Sequence, residues 1–507
     1  MPLLNDTLVW LMKRRLPRIQ AFMDNPMDAQ MDQFWHLIQA GEDTLWGKKY
    51  HFEDIRTVRA FQEQVPISTY EDLYPYLERV QKGEQNVLWN TPIKWFAKSS
   101  GTTNARSKFI PVSQEALEES HFKGGKDMIT LLVANKPDTQ LFEGKGLSIG
   151  GSLTSNQLND KSFAGDVSAV VMKNLPFWAQ LIRTPDLDVA LMDVWEAKIE
   201  KMALVTSQEN VTSILGVPTW TLVLIEKVLE ITGKNNILEV WPNFEFFIHG
   251  AVAFQPYRDL FQQKIFPSNQ VNYLEIYNAS EGFFGVQDDP SRPDEMLLML
   301  DYGVFYEFIP MEEWENKHPQ TVTLGEVELG KNYAVVITTN AGLWRYKIGD
   351  TVRFTSTNPY RIKISGRTKH FINAFGEEVI VENADTALTR ACEATNAILT
   401  DYTAGPVYMD NAKAGCHEWL IEFSKEPENQ ELFNEILDKT IRENNSDYDA
   451  KRYKNMVLQP PRVQVLPQGT FYEWMRSRGK LGGQHKVPRL SNSRIYLEEI
   501  LGILVEG

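Results

Sequence analysis

A chain of 507 residues is too long for one hydrophobic core, and with 43% apolar residues it has the side chains for two or more domains. Its formal net charge of −15 argues against a broad nucleic-acid or anionic-membrane surface, so its cations should matter locally. Two cysteines, Cys392 and Cys416, supply no disulfide framework, and no apolar run approaches the roughly 20 residues that span a bilayer.

The short apolar run at Leu8 to Met12 is followed, not preceded, by Lys13-Arg14-Arg15, which reads as an amphipathic helix rather than a signal peptide. A soluble cytoplasmic protein is expected. Helices are predicted over 5–23, 28–41, 57–63 and 70–81, and their aromatics, including Phe34, Trp35, Tyr74 and Tyr76, read as core.

Residues 98–108 hold five hydroxyl side chains, one glycine and three cations between the apolar runs 93–97 and 109–112. Hydroxyls, backbone N–H groups and cations are what polyphosphate oxygens need. The spacing is not that of a Walker A loop, and the segment that follows reads as a strand. Two readings stand at this point: a flexible cover over a triphosphate in a hairpin-like setting, and a Ser/Thr-rich surface turn.

A helix is predicted over 114–133, then a buried strand over 146–152 that ends in Gly150-Gly151. Residues 188–202 have helical spacing, 213–217 reads as a strand, and Pro218 opens a helix that Gly233 closes. The apolar run 244–248 is closed by His249-Gly250-Ala251, followed by a helix over 256–265 and a strand over 272–277. Strand, helix and strand of this length form a parallel unit whose ligands gather at carboxyl ends of strands, where Gly250 and Tyr277 lie. His249 reads as a satisfied structural histidine or as a contact to adenine or an acyl group.

Short strands over 303–308, 321–329 and 333–338 suggest an antiparallel, barrel-like subdomain that closes on residues 344–350. After a strand at 361–364 the pattern becomes α+β, with helices at 381–393, 429–443 and 448–456 and strands near 419–423 and 463–466. The domain boundary is therefore placed between 365 and 366, giving an N-terminal unit over 1–365 and a smaller unit over 366–507. Residues 479–489 form a glycine-rich, basic loop that presents cations. There is no internal repeat. Cys416 and His417 are adjacent, so on a strand their side chains diverge and make a poor nucleophile–base pair.

Four polar clusters thus stand in order: Ser99-Ser100-Gly101-Thr102-Thr103, Tyr277-Asn278-Ala279-Ser280-Glu281, Tyr346-Lys347-Ile348-Gly349-Asp350, and Gly366-Arg367 through Gly376-Glu377-Glu378-Val379. A fifth, Gln484-His485-Lys486-Val487-Pro488-Arg489, comes near the end. From about residue 90 onward the chain resembles the adenylate-forming superfamily of acyl-CoA synthetases, peptide-synthetase adenylation domains and luciferase. Within it, the motifs look like those of the auxin-responsive acyl-acid amido synthetase family. The resemblance implies an α/β fold: a large N-terminal domain with the barrel-like subdomain, and a smaller, mobile α+β C-terminal lid. It also implies ATP as the activating substrate, Mg²⁺, a small carboxylic acid and an amino acid.

The roles implied follow the chemistry. A carboxylate is a poor acyl donor, so ATP converts it to an acyl-adenylate, and an amine or thiol then displaces AMP. Hydroxyls of Ser99, Ser100, Thr102 and Thr103, with Gly101 and Lys108, would hold the leaving phosphates. Glu281 would bind Mg²⁺, a hard cation that prefers carboxylate and phosphate oxygen. Gly250 and Ala251 would bind the nucleotide, Tyr277 would stack near the adenine, Ser280 would face the α-phosphate, Asp350 would accept the ribose hydroxyls, and Arg367 would assist at ribose or phosphate. Lys486 would reach the carboxylate and α-phosphate oxygens, which its loop must close to do. Val217, Trp220, Phe254, Ala279 and Phe283 are candidate acyl-pocket residues because they lie beside the motifs; core packing is the alternative for each.

The pattern departs from the superfamily loop at Asn104-Ala105, which replace glycines common there, and from the plant members at Gly376, where a lysine after an aspartate is usual. Two further readings share the nucleotide motifs: an acyl-CoA ligase with a thiol acceptor, and a nucleotide-binding protein without turnover.

Overall fold

A computed structural model describes residues 2–99, 108–151, 153–155, 161–252, 254, 257–314, 316–368, 371–409, 414–478 and 487–506. The first predicted helix is two, Pro2–Lys13 and Leu16–Asp24, with Pro17 in the opening turn of the second, where its missing N–H is harmless. Helices Pro26–Gly41, Val58–Gln64 and Tyr70–Gln81 follow near their expected bounds. The last opens on a capping box in which Thr69 and Asp72 each accept from the other's backbone N–H. Trp35, expected in the core, is instead 39% exposed, with its ring edge-on to buried Phe34.

Trp95–Ser99 and Lys108–Val112 pair antiparallel with Ser99 opposite Lys108, so the hydroxyl segment joins two paired strands. They belong to a four-stranded sheet with Phe163–Gly165 and Leu153–Ser155. The helix predicted over 114–133 starts with a π-helical stretch, Ala116–Phe122, before Lys123–Asn135. Gly124 allows Phe283 to pack there, since a Cβ would lie 2.5 Å from that ring.

The main sheet is a ladder of 12 strands. In one half, Asn272–Ala279, Phe246–His249, Val211–Leu215, Lys145–Ser148 and Arg183–Thr184 run parallel, side by side. Parallel strands bring their carboxyl ends to one edge. Gly150-Gly151, Gly216-Val217, Gly250-Ala251 and Ser280-Glu281 therefore leave the sheet together.

The other half is antiparallel and contains Gly282–Val286, Met296–Leu298, Val304–Pro310, Asn332–Thr339, Tyr346–Thr357 and Tyr360–Arg367. The strands read as barrel-like thus continue the same ladder, which ends at Val322–Thr323. The strand expected over 321–329 stops there because Thr323 and Glu326 cap a 3₁₀ turn, Leu324–Glu326.

Two helical expectations break up. Residues 188–202 become Leu187–Ala190 and Trp195–Thr206, the second entered from extended Val194. Residues 256–265 become a single α turn, Arg258–Leu260, and a π-helical Phe261–Ile265. Pro218–Thr232 keeps its proline-first form, and Gly233 closes it in the left-handed region at φ +66°.

Beyond Arg367, helices Val381–Thr395 and Gln430–Asn444 accompany a three-stranded sheet of Ile398–Val407, Cys416–Lys425 and Arg462–Leu466. The 398–407 strand and a closing helix, Ile495–Glu506, were not anticipated from sequence, and the helix expected over 448–456 is Ser446–Arg452 plus a 3₁₀ turn. Buried Ile372, Phe375 and Trp419 form one apolar cluster with Phe247 of the larger sheet and Tyr257, which precedes the Arg258–Leu260 turn. Among the described residues no helix is long and apolar enough to cross a membrane.

Candidate functional site

At the carboxyl edge of the parallel strands, Gly250 passes so close to its neighbour that a Cβ would lie 2.5 Å from the Ile276 carbonyl oxygen. Ala251 then takes φ +68°, a conformation that costs an L-residue energy unless its surroundings hold it. Its carbonyl accepts from Asn373 Nδ2 at 3.4 Å, tying the turn to the segment after the ladder. In the next strand the hairpin pairs Ala279 with Gly282, and Ser280-Glu281 form its half-buried turn. A carboxylate at such a tip fits an oxygen-seeking divalent cation.

Two motifs meet directly. The Tyr277 hydroxyl donates to Asp350 Oδ2 at 2.5 Å, and both residues are buried. Gly349, at φ +97°, sets the direction of Asp350, and its carbonyl accepts from the Thr368 backbone N–H at 2.9 Å and the Thr368 hydroxyl at 3.2 Å. Asp350 lies opposite Arg367 in the strand register. The Tyr277 ring packs edge-on against Phe284, 5.0 Å between centroids.

The base of the hydroxyl hairpin is joined to the same region through residues 68–70. Lys108 Nζ stands 5.8 Å over the Tyr70 ring, and the Tyr70 hydroxyl accepts from the Phe109 N–H at 2.9 Å. Ser68 bridges to Tyr346, accepting from the Lys347 N–H at 2.8 Å and donating its hydroxyl to the Trp344 carbonyl at 2.5 Å. Gly250, Ala251, Tyr277, Ser280, Glu281, Asp350 and Arg367 lie on strands and turns of the 12-stranded ladder, whereas Ser99 and Lys108 belong to the four-stranded sheet, which residues 68–70 join to the Tyr346 strand. Ser100, Gly101, Thr102, Thr103 and Lys486 lie outside the described residues.

The acyl-pocket candidates divide. Val217 caps the 218–232 helix, Trp220 lies half-buried in its first turn, and Ala279 ends its strand beside Ser280. Phe283 is a core residue: it is 3% exposed, fills the space left by Gly124, and its N–H donates to Ser120 Oγ at 3.0 Å. Phe254 also leaves the set, since it is buried and stacked on His249 with 3.9 Å between ring centroids. His249 is not a satisfied core histidine, because Nδ1 is buried without a partner, and burial pushes its pKa down to about 3.

Other polar groups escaped the sequence reading. His121 Nδ1 lies 3.2 Å from Asn278 Oδ1 inside the second motif, and burial pushes this histidine down to about 4. Lys198 donates to the Gly150 and Gly151 carbonyls behind the glycine pair, and burial lowers it to about 8. Lys451, also lowered to about 8 by burial, sets its ammonium 3.7 Å over the Trp220 ring. Partners 157 residues apart, as His121 and Asn278 are, leave no local pattern to read. His417 faces buried Glu377 at 2.8 Å, and Glu377 also accepts from the Ala374 and Phe375 N–H groups, which shapes the turn at Gly376.

Residues 15–271 match the GH3 family N-terminal domain, residues 297–367 the GH3 family central domain and residues 382–495 the GH3 family C-terminal domain. The chain is similar to indole-3-acetic acid-amido synthetase GH3.3 of Arabidopsis thaliana, 23% identical across 89% of this chain and 87% of that protein. It is also similar to 4-substituted benzoates-glutamate ligase GH3.12 of the same plant, 24% identical across 85% and 87%. Jasmonoyl--L-amino acid synthetase JAR4 of Nicotiana attenuata is 25% identical across 85% of each chain. Among solved structures, GH3.15 acyl acid amido synthetase in complex with 2,4-DB superposes with a TM-score of 0.63 over 97% of this chain and 96% of that one, at 19% identity. A 2-hydroxyisobutyryl-CoA ligase superposes with a TM-score of 0.54 over 96% and 93%, at 12% identity. These two structural likenesses show the shared adenylate-forming fold.

Proposed function

Because the chain belongs to the GH3 family, carrying its three domains in order, we propose that it is an ATP-dependent acyl-acid amido synthetase that joins a small carboxylic acid to an amino acid. The observation that carries the reading is the Tyr277–Asp350 hydrogen bond, which brings two motifs 73 residues apart to the edge where the Gly250 and Glu281 turns emerge.

In this reading Asp350 accepts the ribose hydroxyls, a pair of donors that suits a carboxylate. Tyr277 holds that carboxylate in place, and its ring lies beside the adenine that Gly250 and Ala251 admit by their close backbone. The hydroxyls of Ser99, Ser100, Thr102 and Thr103 donate to the leaving phosphates, with Gly101 giving room and Lys108 countercharge. Ser280 faces the α-phosphate and Arg367 assists at ribose or phosphate. Glu281 is the residue that would hold Mg²⁺, which offsets phosphate charge when bound. The substrate carboxylate attacks the α-phosphorus and pyrophosphate leaves; the amine then attacks the acyl carbon, AMP departs and the amine proton is released. Val217, Trp220 and Ala279 border the acyl group.

Lys486 neutralises charge on the carboxylate and α-phosphate oxygens once residues 366–507 swing as a lid. The pivot in this reading is Ser365-Gly366, just before the strand ends at Arg367, where Gly366 takes φ +145°. Both cysteines are free thiols, which suits the reducing cytoplasm, where ATP is at hand.

The test is pyrophosphate release over a panel of small acids, then acceptor screening with amino acids and with coenzyme A. Acid-dependent release followed by an amide product is expected. A thioester and no amide would replace the reading with an acyl-CoA ligase, and nucleotide binding without release would replace it with a non-catalytic role.

A further inference from the structure

A cavity of ≈ 340 Å³ lies against the 246–249 and 272–279 strands, and its lining runs from His249 down to Val271 and Asn272 at the amino end of the strands. At its other end the lining reaches His249, which directly precedes Gly250-Ala251. Parallel register places His249 beside Glu275 and Phe247 beside Tyr273, and residues two apart share a face, so Tyr273 and Glu275 point the same way.

Phe254 gathers the polar groups. His249 stacks on its ring at 3.9 Å, the Tyr273 ring lies 5.6 Å away and the Arg258 guanidinium 6.0 Å away. Three buried polar atoms in this lining have no partner: His249 Nδ1, Tyr273 Oη and Arg258 Nε. Arg258 spends Nη2 on Asp294 at 2.6 Å, and its Nε is left without a partner. Burial and nearby Asp294 push Glu275 up to about 7, against the pull of Arg258 and Lys363, so near neutral pH it is partly protonated.

The chemistry of these atoms selects a ligand. Arg258 Nε can only donate; a phenol, a neutral imidazole and a protonated carboxyl can each donate once, and a carboxylate offers about four acceptor sites. An ammonium would leave the arginine donor unsatisfied. Phe254 supplies a flat apolar wall. We propose that this cavity is a second ligand site, taking a small aromatic monocarboxylate whose oxygens accept from Arg258, Tyr273 and His249. The site stands independently of the amido synthetase reading.

Crystals of the full chain soaked separately in 4-bromobenzoate and 4-bromobenzylamine test it by anomalous scattering. A bromine peak beside Phe254 from the benzoate alone is expected. Only water in the cavity, a peak only at the nucleotide edge, or the amine bound in its place would overturn the proposal. In solution, calorimetric titration with benzoate should show a cavity site that Tyr273→Phe weakens about tenfold or more, the loss of one hydrogen bond to a charged group. Pyrophosphate release by that variant should be unchanged. Equal benzoate affinity in wild type and variant would also overturn it, and if the variant fails to fold the soaks decide.

Discussion

Glu307 lies in the antiparallel half of the ladder, and Glu281 lies at the carboxyl edge of its parallel half. Glu307 is buried and meets Arg345 through two bonds, Nε to Oε2 at 3.0 Å and Nη2 to Oε1 at 2.9 Å. Arg345 also donates to the Gln62 and Val65 carbonyls at 2.7 and 2.6 Å and to Thr321 Oγ1 at 2.9 Å, binding the N-terminal helices to the sheet. Glu281 sits half-buried in a hairpin turn. The contrast separates a carboxylate that holds the fold together from one set in a half-buried turn, which the proposed function assigns to a metal ion.

The largest expected effect falls on the first. Glu307→Ala leaves a guanidinium buried without its carboxylate and should cost about 3–5 kcal/mol, read as a lower urea midpoint at constant slope. A loss below about 0.5 kcal/mol, the range of ordinary surface changes, would break the contrast.

Substitutions on the other side should act on chemistry. Lys486→Ala should lower adenylation by about 10²–10³, the size of effect seen when one transition-state donor is lost, with ATP binding reduced far less. Equal loss of both would assign Lys486 to binding. Glu281→Gln should weaken Mg²⁺-dependent turnover while the thermal midpoint stays put; an unchanged Mg²⁺ response would remove the assignment.

Gly250→Ala should cost about 1–3 kcal/mol as its methyl meets the Ile276 carbonyl, and should raise the KM for ATP. Tyr277→Phe is of similar size, about 1.5–3 kcal/mol for one hydrogen bond to a carboxylate, read in the same KM. Normal ATP affinity in both would detach the strand ends from nucleotide binding.

The smallest effect is on pH. The histidines at 121 and 249 are held below the ordinary value near 6.5, mainly by burial. Below about pH 6.5 the unfolded chain takes up protons that the native one refuses, so their contribution is full above that pH and fades toward 4. Thermal midpoints should fall over this window, and His121→Gln should flatten part of the fall.

Much of the fold is legible because it is local. Pro218 and Gly233 bracket their helix, the apolar runs beside the hydroxyl segment pair as a hairpin, and the parallel strands carry their glycine-marked ends. What escaped depends on distant contacts. Phe254 and Phe283 look like pocket residues from sequence position, yet one is claimed by His249 and the other by the gap at Gly124. The antiparallel strands read as an antiparallel or barrel-like subdomain, and nothing in their own residues announces that Met296 will pair with Ile362 and join them to the parallel half. Ser68 and Tyr70, which tie the hydroxyl hairpin to the Tyr346 strand, sit in a helical region with no motif of their own.

The Lys451 ammonium over Trp220 has an optical consequence. A cation is drawn to an indole face, and here it comes from the smaller, C-terminal part of the chain onto a helix of the larger one. Any swing of the smaller part must lift that charge off the ring, which shifts the indole's emission. Fluorescence that differs between the wild type and Trp220→Phe would then follow the swing in real time, with no label added.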